Sequence, residues 1–504
     1  MHDAVTEAEK IVRDIGGRTI ASTAYTTAWA ARMTTPDGQE IFPRARHWLT
    51  THQHPDGSWG SDAVHNPYDR LVSTLAAITA LNEASDAVSR RAVHAGVDFL
   101  EHHAVDWRGA PGETVGFEVA APFLLEQARR HGLDVSVHGE EELHRLRADK
   151  LATVVDSGAL LREPTSLLYS VEALTDLVPA QELARFTLPN GSLADSPSST
   201  IALWQATRDP AALWYLCSAA RSTDDGGMPE VHGFDVMEPA WALYTLARAG
   251  LKPPSATAHI ARLETLGERS PAGLAMSAGF QVADSDDTSM AANVLHAYHR
   301  PTRPLLEALT SFVTDTHVAC YPHERGLTVT VNARALEAFA PHPDIYAEEI
   351  RTALGYLLDV RKDGAWWVDK WHTSPYYATA QAAFACALAA PHEMAAAWQW
   401  LLDSQHPDGS WGTGAGPAEE TGHAVLALNA LEPHFGPALT EVYQRAHTQL
   451  CTHLNNPDLP ALWIAKTLYT PVNVVRAVIL SAHTIAVRRA GQTPARCAVQ
   501  ETPS

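Results

Sequence analysis

Apolar side chains recur every three to four positions through several Ala- and Leu-rich stretches, the spacing that places them on one face of a helix. Leu71, Leu75, Ile78 and Leu81 give the clearest single face. Trp241, Tyr244 and Ala247 repeat the spacing, as do Ala380, Phe384 and Leu388. Alternation of β-branched residues, the mark of a half-buried strand, is confined to one short candidate at 327–331. The pattern predicts a nearly all-α protein.

A longer pattern overlies the helical one. The stretch at 48–60, which ends Gln53-His54-Pro55-Asp56-Gly57-Ser58-Trp59-Gly60, returns at 400–412 ending Gln405-His406-Pro407-Asp408-Gly409-Ser410-Trp411-Gly412. Pro189-Asn190-Gly191-Ser192-Leu193 is a weaker echo between them. Each full copy sets a Gln at a helix end, a Pro-Asp-Gly turn, and then a Trp able to cover the next helix. We read these copies as structural glue between successive helices. Two related halves fit two α-barrel domains, although repetition alone also allows an open solenoid. The best loop break is Gly250-Leu251-Lys252-Pro253-Pro254-Ser255.

Length and composition narrow the function. A chain of 504 residues with 46% hydrophobic and 19% charged residues is ordinary for a folded protein of more than one domain. The net charge of -21 argues against nucleic acid and against adsorption to anionic membranes, so an anionic ligand would need a local basic pocket. Cys217, Cys320, Cys386, Cys451 and Cys497 are odd in number and scattered, which suggests neither a disulfide framework nor a zinc site. With no secretory pattern at the N-terminus, the expected location is the cytoplasm. Peripheral membrane contact stays open, because a lipophilic substrate, if there is one, would be collected from a bilayer.

The strongest chemical signal is Asp284-Ser285-Asp286-Asp287. Clustered carboxylates repel one another, and in a dry site at least one keeps its proton at neutral pH and so can act as an acid. The same triplet opening a helix also suits an N-cap or a metal site. The chain's 14 Trp, 13 Tyr and 11 Phe add faces that stabilise cations.

Taken together these motifs resemble the class II terpene cyclases: diterpene cyclases of the copalyl diphosphate synthase type, with squalene-hopene cyclase more distant. The acidic run matches their D-x-D-D motif and both Gln-Trp copies match their repeated Q-W motif. Further matches include Ser22-Thr23-Ala24-Tyr25-Thr26-Thr27-Ala28-Trp29, Gly116-Phe117-Glu118, Asp369-Lys370-Trp371-His372-Thr373-Ser374-Pro375-Tyr376-Tyr377 and Leu462-Trp463-Ile464-Ala465-Lys466. They span about residues 20 to 480.

The resemblance implies two α/α-barrel domains with the active site between them: a discontinuous β domain at 1–20 and 266–504, which carries D-x-D-D, and a γ domain at 21–265. No Asp-Asp-x-x-Asp motif occurs, so no class I domain is expected. By resemblance Asp286 is the general acid that protonates the terminal alkene, with Asp284 and Asp287 holding its proton and orientation. Glu118 matches a glutamate associated with Mg2+ and the diphosphate. Its alternative is a helix-packing carboxylate paired with a basic residue. Lys370 and Lys466 are candidates to bind the diphosphate, or else exposed lysines.

The chain departs from the plant enzymes where the last proton leaves. Their His and Asn are replaced by Tyr169 and Glu230, and Thr26 stands where the family commonly has Asp. Glu230 is read as a base or as a salt-bridged loop residue, and Tyr169 as cavity wall or core. The implied activity is conversion of geranylgeranyl diphosphate to a bicyclic copalyl-type diphosphate, ent-copalyl diphosphate favoured, with a class I terpene synthase acting next. The alternatives are a halimadienyl or clerodane-type skeleton, or drimenyl diphosphate from farnesyl diphosphate. An α/α-barrel glycosidase would need a second acid across a sugar cleft, and a helical scaffold would turn nothing over.

Overall fold

The computed structural model describes residues 2–17, 20–154, 162–321, 326–413, 417–436, 439–454 and 459–491. Helices dominate, and the predicted all-α fold of two helical barrels is what forms. In the larger core, helices Met237–Arg248, Ser285–Ala297, Val329–Phe339, Pro375–Ala389, Ala418–Phe435 and Val472–Arg489 each pack on the next, and the last returns to the first to close a ring. Outer helices such as Ala256–Arg269, Ala347–Asp359 and Thr440–His453 back them. The inner helices are Ala-rich and buried on almost every side, which is why their hydrophobic stripe reads as broad rather than one-faced. In the smaller core, Ala24–Ala31, Pro67–Asn82, Phe117–Arg130, the 3-10 segment Ser166–Leu174 and Pro197–Thr207 close a second ring.

The repeats pin these rings together. Gln53 Nε2 donates to Gly57 O at 2.8 Å and to Ala92 O at 2.9 Å, and Gln405 Nε2 donates to Gly409 O and Val442 O at 3.1 Å. The indoles of Trp59 and Trp411 are fully buried and donate back to Leu49 O and Leu401 O. The turn glycines Gly57, Gly191 and Gly409 have φ of +91°, +88° and +94°. A Cβ on any of them would run into a carbonyl oxygen, that of Ala95, Ala211 or Arg445. The echo at 189–193 is thus a structural repeat. Trp367, unrecognised in the sequence, belongs to the same device, since its indole donates to Leu357 O at 2.7 Å. In these copies the backbone N–H that follows the turn donates to a threonine hydroxyl in the next inner helix, Trp59 to Thr74, Leu193 to Thr200, Trp367 to Thr379 and Trp411 to Thr421, and Leu274, after Gly273 at φ +102°, does the same to Thr288.

The structure corrects two sequence expectations. Residues 327–331 are not a strand: Thr328 caps the helix Val329–Phe339 by accepting from Val331 N, and Asp369 holds Thr328 and Thr330 from outside. The first unit does not extend to residue 265, because Val231, Trp241, Ile260 and Leu263 pack in the larger core. The chain crosses between cores where Ser22–Thr23 pairs with Met228–Pro229, so the crossover lies near residue 230 and the proline-rich break at 253–254 is only a loop. Among the described residues no helix is long and apolar enough to cross a membrane.

Candidate active site

The acidic run opens the inner helix Ser285–Ala297, and its carboxylates divide the work. Asp284 is the N-cap: its Oδ1 accepts from Asp287 N at 2.7 Å, while its own N–H donates to Leu274 O. Asp284 and Asp287 are buried. Burial and the adjoining negative charge push Asp284 up to about 7 and Asp287 well above the ordinary carboxylate range, so this pair holds a proton at neutral pH. Asp286 is the least buried of the three, its side chain 16% exposed.

Asp286 is clamped by Arg334, a fully buried guanidinium from the neighbouring inner helix that also donates to the Tyr377 hydroxyl. Burial raises the Asp286 carboxyl and Arg334 pulls it back toward ionisation. The guanidinium lies 4.8 Å from the Trp241 ring centre and 5.6 Å from that of Tyr377. Tyr377 continues the aromatic wall: it stacks on His372 at 4.4 Å and meets Trp463 edge-on at 5.0 Å, and Trp463 lies 6.4 Å from Tyr469. Sequence reading missed Arg334, because one arginine inside an apolar helical pattern carries no local signature.

Glu230 and Tyr169 come together at the crossover. Glu230 is fully buried, and its Oε2 accepts from the hydroxyls of Thr23, Thr26 and Thr467 at 3.0 to 3.2 Å, while Tyr169 donates to Oε1 at 3.4 Å. Burial raises this carboxyl and Lys466 opposes the rise. It is therefore no salt-bridged loop residue. Thr26, the departure from the family pattern, is one of its donors.

Lys466 contradicts the picture of an exposed lysine. It is 2% exposed, and its ammonium donates to Glu172, Ser196 and Ser198 beneath the Tyr169 ring, 4.4 Å from the ring centre. With three protein acceptors filled, it orders the Tyr169–Glu230 corner rather than offering a free cation to a diphosphate. Lys370 lies at the surface, bonded to Gly326 O and 4.6 Å from the Trp371 ring centre. Glu118, at the start of helix Phe117–Arg130, pairs with Lys150 at 2.9 Å. Nearby Glu113 has its carboxyl raised by burial and by the Glu118 charge.

A cluster of carboxyls that holds a proton, an aromatic wall beside it and a separate buried carboxylate are groups that a protonation-initiated cyclisation would use. No protein-family model matches the chain. It is 33% identical over 492 residues to the type B diterpene cyclase of Mycobacterium tuberculosis, covering 92% of this chain and 96% of that one. It is also 33% identical over 460 residues to an ent-copalyl diphosphate synthase of Streptomyces sp. strain KO-3988, covering 86% of each. The solved ent-copalyl diphosphate synthase from Streptomyces platensis superposes with a TM-score of 0.77 at 28% identity, over 97% of this chain and 100% of that one. The chain belongs to the class II diterpene cyclase family.

Proposed function

We propose that this enzyme converts geranylgeranyl diphosphate to a bicyclic diphosphate of the copalyl type, the ent series favoured, keeping the diphosphate. The observation that carries the reading is the placement of Asp286, partly exposed and held by Arg334 at an aromatic wall. Asp286 delivers its proton to the terminal alkene, Asp284 and Asp287 stand behind it as the proton-holding pair, and the Trp241, Tyr377 and Trp463 faces stabilise the cation while excluding water. Glu230, poised with Tyr169, accepts the final proton. Retention of the diphosphate leaves a product suited to a class I synthase.

Glu118 and Glu113 offer the hard oxygen donors that Mg2+ takes alongside substrate phosphates, so this pair fits the ion. Mg2+, when bound, would neutralise the diphosphate. Lys370, whose charge reaches Asp286, is the lysine proposed to assist in holding the substrate.

The test is incubation of purified protein with geranylgeranyl diphosphate and Mg2+, beside Asp286→Asn, followed by phosphatase treatment and mass-spectrometric identification. A bicyclic alcohol from wild type, reduced by roughly 10²-fold or more in the variant, is expected. A halimadienyl or clerodane skeleton, or drimenol from farnesyl diphosphate only, would replace the product assignment. No turnover of either substrate, or full activity of Asp286→Asn, would overturn the reading.

A further inference from the structure

Among the buried carboxylates that the mechanism above leaves unused, one lies against the aromatic wall. Glu419, on the inner helix Ala418–Phe435, is 1% exposed, and its Oε1 accepts the Trp463 indole N–H at 2.7 Å and His372 Nε2 at 3.2 Å. Its Oε2 has no protein hydrogen bond, and neither ring nitrogen of the adjoining buried His423 has one. Burial opposes ionisation of Glu419, yet the His372 hydrogen bond and the His423 imidazole hold its carboxyl below the ordinary range.

Two histidines and a glutamate in one place suggest a metal site, but the hydrogen bonding argues otherwise. His372 Nδ1 accepts from Ser374 N at 3.0 Å, which puts the hydrogen of a neutral ring on Nε2. An N–H rather than a lone pair then faces Glu419. The arrangement is an anion holding two aromatic N–H groups, and both rings belong to the wall beside the acid: Trp463 touches Tyr377 edge-on, and His372 stacks on it.

A carboxylate that accepts an indole or imidazole N–H pushes electron density into the ring and strengthens its attraction for a cation on the ring face. Among the described residues no lysine or arginine pairs with this carboxylate, and Arg334, bonded to Tyr377, is already paired with Asp286. A carbocation formed at Asp286 would supply the missing positive charge. Building on the cyclase reading, we propose that Glu419 is a positioning residue that makes the Trp463–His372–Tyr377 wall electron-rich and thereby stabilises the cation between protonation and ring closure.

The test compares Glu419→Gln, Trp463→Phe and the double variant with wild type on geranylgeranyl diphosphate and Mg2+, with circular dichroism to establish folding. Trp463→Phe keeps a ring and deletes the N–H. Each single variant is expected to lower kcat by roughly five- to thirtyfold, the rate equivalent of one desolvated cation–π contact, with KM nearly unchanged. Each should also raise the share of monocyclic or water-captured products, and the double variant should be no worse than the worse single. A purely structural role would not move the product split. Wild-type kcat and products in both single variants, or fully additive losses with an unchanged split, would overturn the inference while the cyclase reading stands. A wild type that cyclises nothing would sink both. Should Glu419→Gln fail to fold, Trp463→Phe decides alone.

Discussion

Replacing Arg334 by Met tests how the protein sets the strength of its acid. The guanidinium and the Asp286 carboxyl are in contact, with side chains 1% and 16% exposed. Unit charges about 4 Å apart interact by about 4 kcal/mol at an effective dielectric of 20, equivalent to about 3 pH units of acid strength. Discounting for the exposed edge of Asp286 leaves roughly 1 to 3 units. Burial already raises Asp286 and Arg334 restrains that rise, so losing the arginine raises it further. Asp286 works while protonated, and the rate is lost as pH climbs through its titration. The basic limb of the kcat/KM profile should therefore move to higher pH by roughly 1 to 3 units in Arg334→Met. The plateau should fall too, by roughly tenfold for each two units if about half of the change in acid strength is felt in the transition state. Arg334→Lys keeps a charge and should leave the limb near its wild-type position. A limb that stays put or moves down in Arg334→Met, with only the rate reduced, would refute the coupling.

Gly191→Ala should destabilise the protein by about 2–4 kcal/mol in equilibrium denaturation, combining left-handed strain with the clash at Ala211 O. Gly132→Ala, at φ +84° with nothing within 4 Å of the added carbon, should cost only about 1–2 kcal/mol; equal losses would show that the close approach does not matter. For the Mg2+ proposal, Glu118→Gln should raise the Mg2+ concentration that half-saturates turnover by roughly tenfold, with a product profile like wild type. An unchanged requirement would remove Glu118 from the metal.

The legible parts of this molecule were the contiguous ones. The acidic run was legible as a proton-holding cluster because three carboxylates share one helix start, and the Gln-Trp copies announced the barrels because each device is local. Residues 327–331 misled because Thr328, Val329, Thr330 and Val331 favour strands in isolation. Thr328 as a cap and Asp369 as its anchor overrode that preference through tertiary contacts. The proline pair at 253–254 looked like a boundary, whereas the true crossing is a short strand pair with no compositional mark. Arg334, Glu419 and the filled donors of Lys466 were invisible for one reason: each acquires its meaning from partners dozens to hundreds of residues away.

The corner around Glu230 is assembled from Thr23, Thr26, Tyr169 and Thr467, contributed by both rings, whereas Asp284, Asp286 and Asp287 sit on one helix of the larger ring. On the proposed roles, starting the reaction and ending it are therefore built from separate parts of the chain. An exchanged hydroxyl or carboxylate at the junction would then change the skeleton while the step that launches catalysis is kept.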